Sequence, residues 1–156
     1  MYLDHVTVPT AVATSGMLVA DLFRECISKQ VPGIPFRDQS GHLTGKASIR
    51  HVLKMNCIPD YMVQHASLLG DDLESLRVPD AKIRQMLSLT VDAFVLPETV
   101  HVSRKASVAK ALAVMERHDT TYLFVVDGDD YAGCVSIMGI GAAVIASTLT
   151  TASDRS

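Results

Sequence analysis

The feature that most constrains this chain is internal repetition: a run starting at Val8 returns, 88 to 89 residues later, as a run starting at Leu96. Val8-Pro9-Thr10-Ala11-Val12-Ala13 pairs with Leu96-Pro97-Glu98-Thr99-Val100-His101, each a proline followed by a short β-prone run. Met17 to Cys26 pairs with Ala106 to Met115, and both stretches are amphipathic. In the second, Val108, Ala111, Leu112 and Met115 recur at helical spacing and define one apolar face. Ile34-Pro35-Phe36-Arg37-Asp38 pairs with Leu123-Phe124-Val125-Val126-Asp127, two short strands closed by Asp. A turn follows each, Gln39-Ser40-Gly41 and Gly128-Asp129-Asp130, where Gly and Asp suit a tight hairpin. The strands Leu43 to Ile49 and Tyr131 to Ile137 come next, each with an early glycine and each reaching a serine, Ser48 or Ser136, able to cap a following helix. Those helices are predicted over Ile49–Met55 and from Ile137 to about Ser147.

Each copy therefore reads strand, helix, strand, hairpin, strand, helix. At about 50 residues apiece, neither copy buries much core alone, whereas two packed together do. The predicted fold class is α/β (α+β): two β-α-β-β-α repeats over residues 1–55 and 94–147, a connecting insert over 56–93, and a C-terminal tail over 148–156. A structureless insert of that length is improbable in a compact domain. Pro59-Asp60 reads as a helix start with Gly70 as its stop, and Ile58, Met62, Ala66 and Leu69 share a face. Pro79-Asp80 opens a second helix carrying the stripe Ile83, Met86, Leu87, Thr90, Val91 and Phe94. The acidic segment Asp71-Asp72-Leu73-Glu74 between them is expected as a helix first turn favoured by the dipole.

Apolar residues make up 48% and charged residues 20%, in the range of globular chains, and 17 acids against 14 bases leave a net charge of −3. No nucleic-acid partner is expected from that balance, since a sequence-independent grip on the backbone needs a basic face. Aromatics are 5% with no Trp, which argues against an extended base-stacking platform. Cys26, Cys57 and Cys134 are odd in number and widely spaced, and are expected as three small buried hydrophobes in a reducing cytosol. Met1-Tyr2-Leu3-Asp4-His5 does not read as a signal peptide. Tyr131 to Ser153 lacks charge, but its Gly, Ala, Ser and Thr content favours a buried strand followed by a buried small-residue helix over a membrane span.

The repeats resemble a tandem pair of CBS domains, the module named after cystathionine β-synthase. Tyr122-Leu123-Phe124-Val125-Val126-Asp127 is similar to that family's "LPVVD" strand. Gly133-Cys134-Val135-Ser136 is similar to its "GIVT/S" strand end. In the first copy, Asp38 to Gly45 is close to its "D-x-x-G-x-L-x-G" pattern. The resemblance implies a non-catalytic regulatory (Bateman) module that binds AMP, ADP, ATP or S-adenosylmethionine in clefts between the two copies. It also implies a homodimer that acts on a partner such as an enzyme or transporter, with no cofactor required. The family's "G-h-h-T/S-x-x-D" sets a hydroxyl at a helix N-terminus, where free N–H groups suit a phosphate, and an Asp on the ribose hydroxyls. Ser48 and Ser136 match the hydroxyl, while His51 and Gly139 stand at the Asp positions. His51, helped by Arg50, is expected to favour a phosphate, whereas Gly139 offers the ribose nothing. Thr99 and Val100 would border an adenine, and Tyr122 could stack on it. The alternative is a pair that has lost its ligand and serves as an interaction or oligomerisation module, to which the insert would add surface.

Catalysis has no support in the sequence. Neither GxxxxGK[ST] nor GxSxG occurs, and Asp127-Gly128-Asp129-Asp130 lacks the spacing of a calcium loop. The histidines His5, His42, His51, His65, His101 and His118 form neither HxxxH nor HExxH, so no metal site is expected.

Overall fold

The computed structural model describes residues 1–71 and 79–153. The predicted acidic segment at Asp72, Leu73 and Glu74 lies outside them.

The first repeat runs β1 (Ala13–Thr14), α1 (Val19–Lys29), β2 (Gly33–Arg37), β3 (Leu43–Ser48) and α2 (Ile49–Cys57). The second runs β4 (His101–Val102), α5 (Val108–Arg117), β5 (Tyr122–Asp127), β6 (Asp130–Ser136) and α6 (Ile137–Ser153). Between them lie α3 (Asp60–Gln64) and α4 (Asp80–Ser88). Each repeat folds one three-stranded sheet, in the orders β1-β2-β3 and β4-β5-β6, with the first pair parallel and the second antiparallel. Even the irregularities repeat. The register slips between Phe36 and Arg37 and again between Val125 and Val126. Past α1 and α5, Gln30 and Asp119 take left-handed backbone, at φ 56° and 48°. Gly41 and Gly128 supply the positive φ of the two hairpins.

The amphipathic helices turn only part of their apolar residues inward, and Val108 of the predicted α5 face is half-buried. Val19, Leu22 and Cys26 of α1 and Ala111 and Met115 of α5 are buried, while Leu112 stays 37% exposed. One cluster joins α1, β2 and Val52 of α2 to Val91, Phe94, Phe124 and Cys134, so the second sheet contributes to the first repeat's core. The other joins α5, β5 and β6 to Leu3, Val6 and Ile140.

The lead-in segments differ from expectation. The runs from Val8 and from Leu96 were predicted as strands of their own repeats, but β1 and β4 begin only at Ala13 and His101. Instead each lead-in crosses over. Val8 exchanges both backbone hydrogen bonds with Cys134, at 2.9 Å, and Leu96 exchanges both with Lys46, at 2.8 and 2.9 Å. Ahead of them, the 3-10 turn Leu3–Val6 packs on the second repeat and its counterpart Val91–Phe94 on the first. Each repeat is thus completed by the other's leader. Gly45 and Gly133 make this approach possible, since a Cβ on Gly133 would stand 2.5 Å from the Val8 carbonyl oxygen and one on Gly45 would collide with that of Leu96.

Three helix boundaries also correct the sequence reading. The helix opening at Pro59 ends at Gln64, well before Gly70, and yields to a 3-10 turn over Ala66–Leu68. Of its predicted face only Met62 is buried, so little packing sustains a longer helix. The second insert helix stops at Ser88, and Val91 and Phe94 are buried from the following 3-10 turn. At the C-terminus α6 runs six residues past Ser147, into the predicted tail, because no Gly or Pro interrupts it beyond Gly141, and from Gly141 onward it is almost wholly exposed rather than buried as expected.

Candidate ligand cleft

Both serines cap. Ser48 ends β3, and its hydroxyl accepts the His51 N–H at 3.2 Å; Ser136 ends β6, and its hydroxyl accepts the Gly139 N–H at 3.0 Å. Each therefore satisfies one of the free N–H groups of the helix it opens. Beyond the cap the two ends differ.

At the start of α2 the predicted residues Ser48, Arg50, His51 and Tyr122 lie together. Lys46, two residues before Ser48 and so on the same strand face, sets its ammonium 5.4 Å from the centre of the Tyr122 ring. The other contacts of that ring include a Phe124 edge, with centroids 5.8 Å apart. Burial pushes the Lys46 ammonium below the ordinary lysine value; Glu98 works against this shift and Arg50 with it. Burial likewise lowers His51, reinforced by Lys54 and Lys46. Burial raises the Tyr122 hydroxyl far above its usual range, so it stays protonated. Among the described residues, no carboxylate forms an ion pair with Lys46, Arg50 or His51; Lys54 pairs with Asp60 at 3.6 Å. A half-buried, unpaired ammonium is electrostatically unfavourable, and an incoming anion would relieve it.

The influence of Glu98 on Lys46 brings the segment before β4 to this cluster. Thr99 and Val100, next along it, are half-buried. The Val100 carbonyl accepts the Phe124 N–H at 3.0 Å, which commits it to the sheet.

At the start of α6 the corresponding positions are uncharged. Cys134 replaces Lys46, Met138 replaces Arg50 and Gly139 replaces His51. Cys134 is fully buried, with its thiol pushed up to about 12 by burial and by Cys26, so it is neither a nucleophile nor a charge. Gly139 borders an open groove of about 670 Å³ with Met1, His5, Ala142, Ala143 and Ala146. Ser136 and Gly139 thus form a separate surface that carries none of the cations around Ser48.

Sequence reasoning passed over Lys46 and Glu98. The signal for Lys46 was present: a lysine two residues before the capping serine shares its face of the strand. Glu98 gave none, because its neighbour Lys46 is distant in sequence. Among the described residues, no three His, Cys, Asp or Glu side chains are grouped to hold a metal ion.

The comparisons with known proteins agree with the duplicated architecture. The CBS domain family model matches residues 91–140. No curated protein matches the chain in sequence. A solved CBS domain from a CBS domain-containing membrane protein of Sphaerobacter thermophilus is 21% identical, with a TM-score of 0.60 over 87% of this chain and 82% of that one. A CBS domain-containing protein of unknown function from Kribbella flavida is 19% identical, with a TM-score of 0.63 over 92% and 99%. CBSX2, solved in complex with AMP, is 18% identical, with a TM-score of 0.62 over 95% and 99%. Among the described residues no helix is long and apolar enough to cross a membrane. Residues 91–140 thus match the CBS domain family, and the two repeats together have the fold of the solved CBS-domain chains.

Proposed function

We propose that this protein is a non-catalytic regulatory module that binds an adenosine-containing ligand such as AMP, ADP, ATP or S-adenosylmethionine in the Ser48 cleft. The observation that carries this reading is the pair of cations Lys46 and Arg50, at the end of β3 and the start of α2 with His51 beside them, for which the described residues supply no ion-pair partner. A helix N-terminus beside such a cluster suits a phosphate. The AMP complex of CBSX2, a chain of the same fold, supports the ligand class. In this reading Thr99 and Val100 border the ligand, and the bound state is passed to a partner, such as an enzyme or transporter, in the cytoplasm. Three unpaired cysteines suit that reducing compartment.

A second reading is favoured by one observation. From Gly141 onward α6 is almost wholly exposed and carries no charge, presenting Ile145 and Leu149 at 64% and 68% exposure, with Met138 at 78% one turn before. Such a face suits a homodimer, with or without a ligand.

A thermal-shift panel of AMP, ADP, ATP, S-adenosylmethionine and NADH tests the first reading. A ligand at about 100 times its Kd stabilises the native state by about 2.7 kcal/mol, on the order of 5–10 °C for a chain of this size. A shift lost in Ser48→Ala supports the sensor; a flat panel at millimolar ligand sinks it and leaves the interaction module.

A further inference from the structure

We infer that the Ser48 cleft holds its ligand by a polyphosphate group and is indifferent to the sugar hydroxyls. This rests on the reading above that the cleft is the ligand site, and it narrows the ligand class. Three observations carry it.

The first is the charge. Lys46 and Arg50 carry fixed positive charges beside one another, and His51 adds a third when it binds a proton. Two or three such groups at one helix start match a group bearing several negative charges better than a single phosphate ester. The second is the lack of a ribose acceptor on α2. Its sequence, Ile49 to Cys57, contains no Asp or Glu, so the helix presents no carboxylate to a vicinal diol. Among the described residues Glu98 is the one acid whose charge is felt by Lys46, and it is exposed. The third is the aromatic ring. Lys46 lies over Tyr122 and Phe124 abuts it edge-on, which leaves Tyr122 poorly placed to stack a base. With diol and base contacts both weak, the phosphates supply most of the binding.

The test is a calorimetric titration of the full chain with ATP, 2′-deoxy-ATP and inorganic tripolyphosphate in one buffer. The expected dissociation constants agree within about threefold, against the roughly tenfold or greater loss that removal of one charge-assisted hydrogen bond brings. All three weaken together in the Lys46→Met/Arg50→Met double variant and persist in Lys46→Arg, with circular dichroism verifying that both variants fold. Glu98→Gln tightens all three alike by removing a repulsive charge. Weaker binding of 2′-deoxy-ATP than of ATP, or Glu98→Gln weakening ATP alone, would overturn the inference while leaving the nucleotide reading intact. Binding of tripolyphosphate without ATP would uphold the inference and overturn the nucleotide reading. Absence of binding by all three at millimolar concentration, or binding unchanged in the double variant, overturns both.

Discussion

Ser48 and Ser136 occupy the same place in two copies of one architecture, and the ends of the molecule around them have diverged in chemistry while keeping their backbone. Both serines cap a helix through the N–H three residues on. Both preceding strands admit a crossing leader over a glycine, Gly45 or Gly133. Yet Lys46, Arg50 and His51 surround the first, and Cys134, Met138 and Gly139 the second. The fold therefore depends on hydrogen bonds and glycines common to the copies, and the charge at each end on side chains that the fold does not specify.

The comparison predicts equal behaviour where the backbone decides. Gly45→Ala and Gly133→Ala are each expected to destabilise the chain by about 1–3 kcal/mol, since the added methyl meets the carbonyl oxygen of Leu96 or Val8. Chemical denaturation checks this, and a neutral result at either glycine would break the symmetry of the crossed leaders. Ser48→Ala and Ser136→Ala should each cost about 0.5–2 kcal/mol through the lost cap. Ligand affinity sharpens the pair: it should fall only in the first, where cationic side chains adjoin the serine.

Smaller effects separate the ends. Gly141→Ala meets nothing within 4 Å, and a Cβ on Gly139 would make only an ordinary 3.4 Å contact with the Ser136 hydroxyl. Both substitutions should raise stability by about 0.5–1 kcal/mol, as alanine for glycine does within a helix. Loss of stability in thermal melts would show that α6 needs its glycines for closer packing than the structure records.

The smallest effects are titrations of opposite sign. His51 sits below the ordinary histidine value because of burial first, then Lys54 and Lys46. The unfolded chain takes up that proton more readily, so stability falls as pH drops through about 6.5, and His51→Gln should flatten this limb. His42, by contrast, is raised by its hydrogen bond to Asp129, whose carboxylate lies 2.8 Å from the ring nitrogen at the meeting of the two hairpin tips, and by the charges of Asp129 and Asp38. Its contribution is complete below the ordinary value and is lost as pH rises through the raised one. His42→Gln should flatten that upper limb, as followed by urea midpoints across pH 5 to 8.

Much of this architecture was legible in the sequence. Paired strands, hairpin glycines and capping serines are local features, and each is written within a few residues. The crossing of the leaders was not, because Val8 and Leu96 present the same apolar pattern whether they pair within a repeat or across to the other. The end of α6 was misjudged because Ser and Thr after Ser147 read as a tail. In the structure the hydroxyls of Thr150 and Thr151 bond back to the carbonyls of Ala146 and Ser147 within a continuing helix. In the cleft, Ser48, Arg50, His51 and Tyr122 could be proposed from motif positions. Glu98 could not, since its relation to Lys46 arises only when the second leader crosses the first sheet.

The most direct test of the central claim, that the two ends share a fold but only one is a ligand site, is the stoichiometry of nucleotide binding by calorimetry. The account predicts one ATP per chain, lost in Lys46→Met and retained in Met138→Ala. Two equivalent sites per chain, or a single site that survives Lys46→Met and disappears in Met138→Ala, would contradict it.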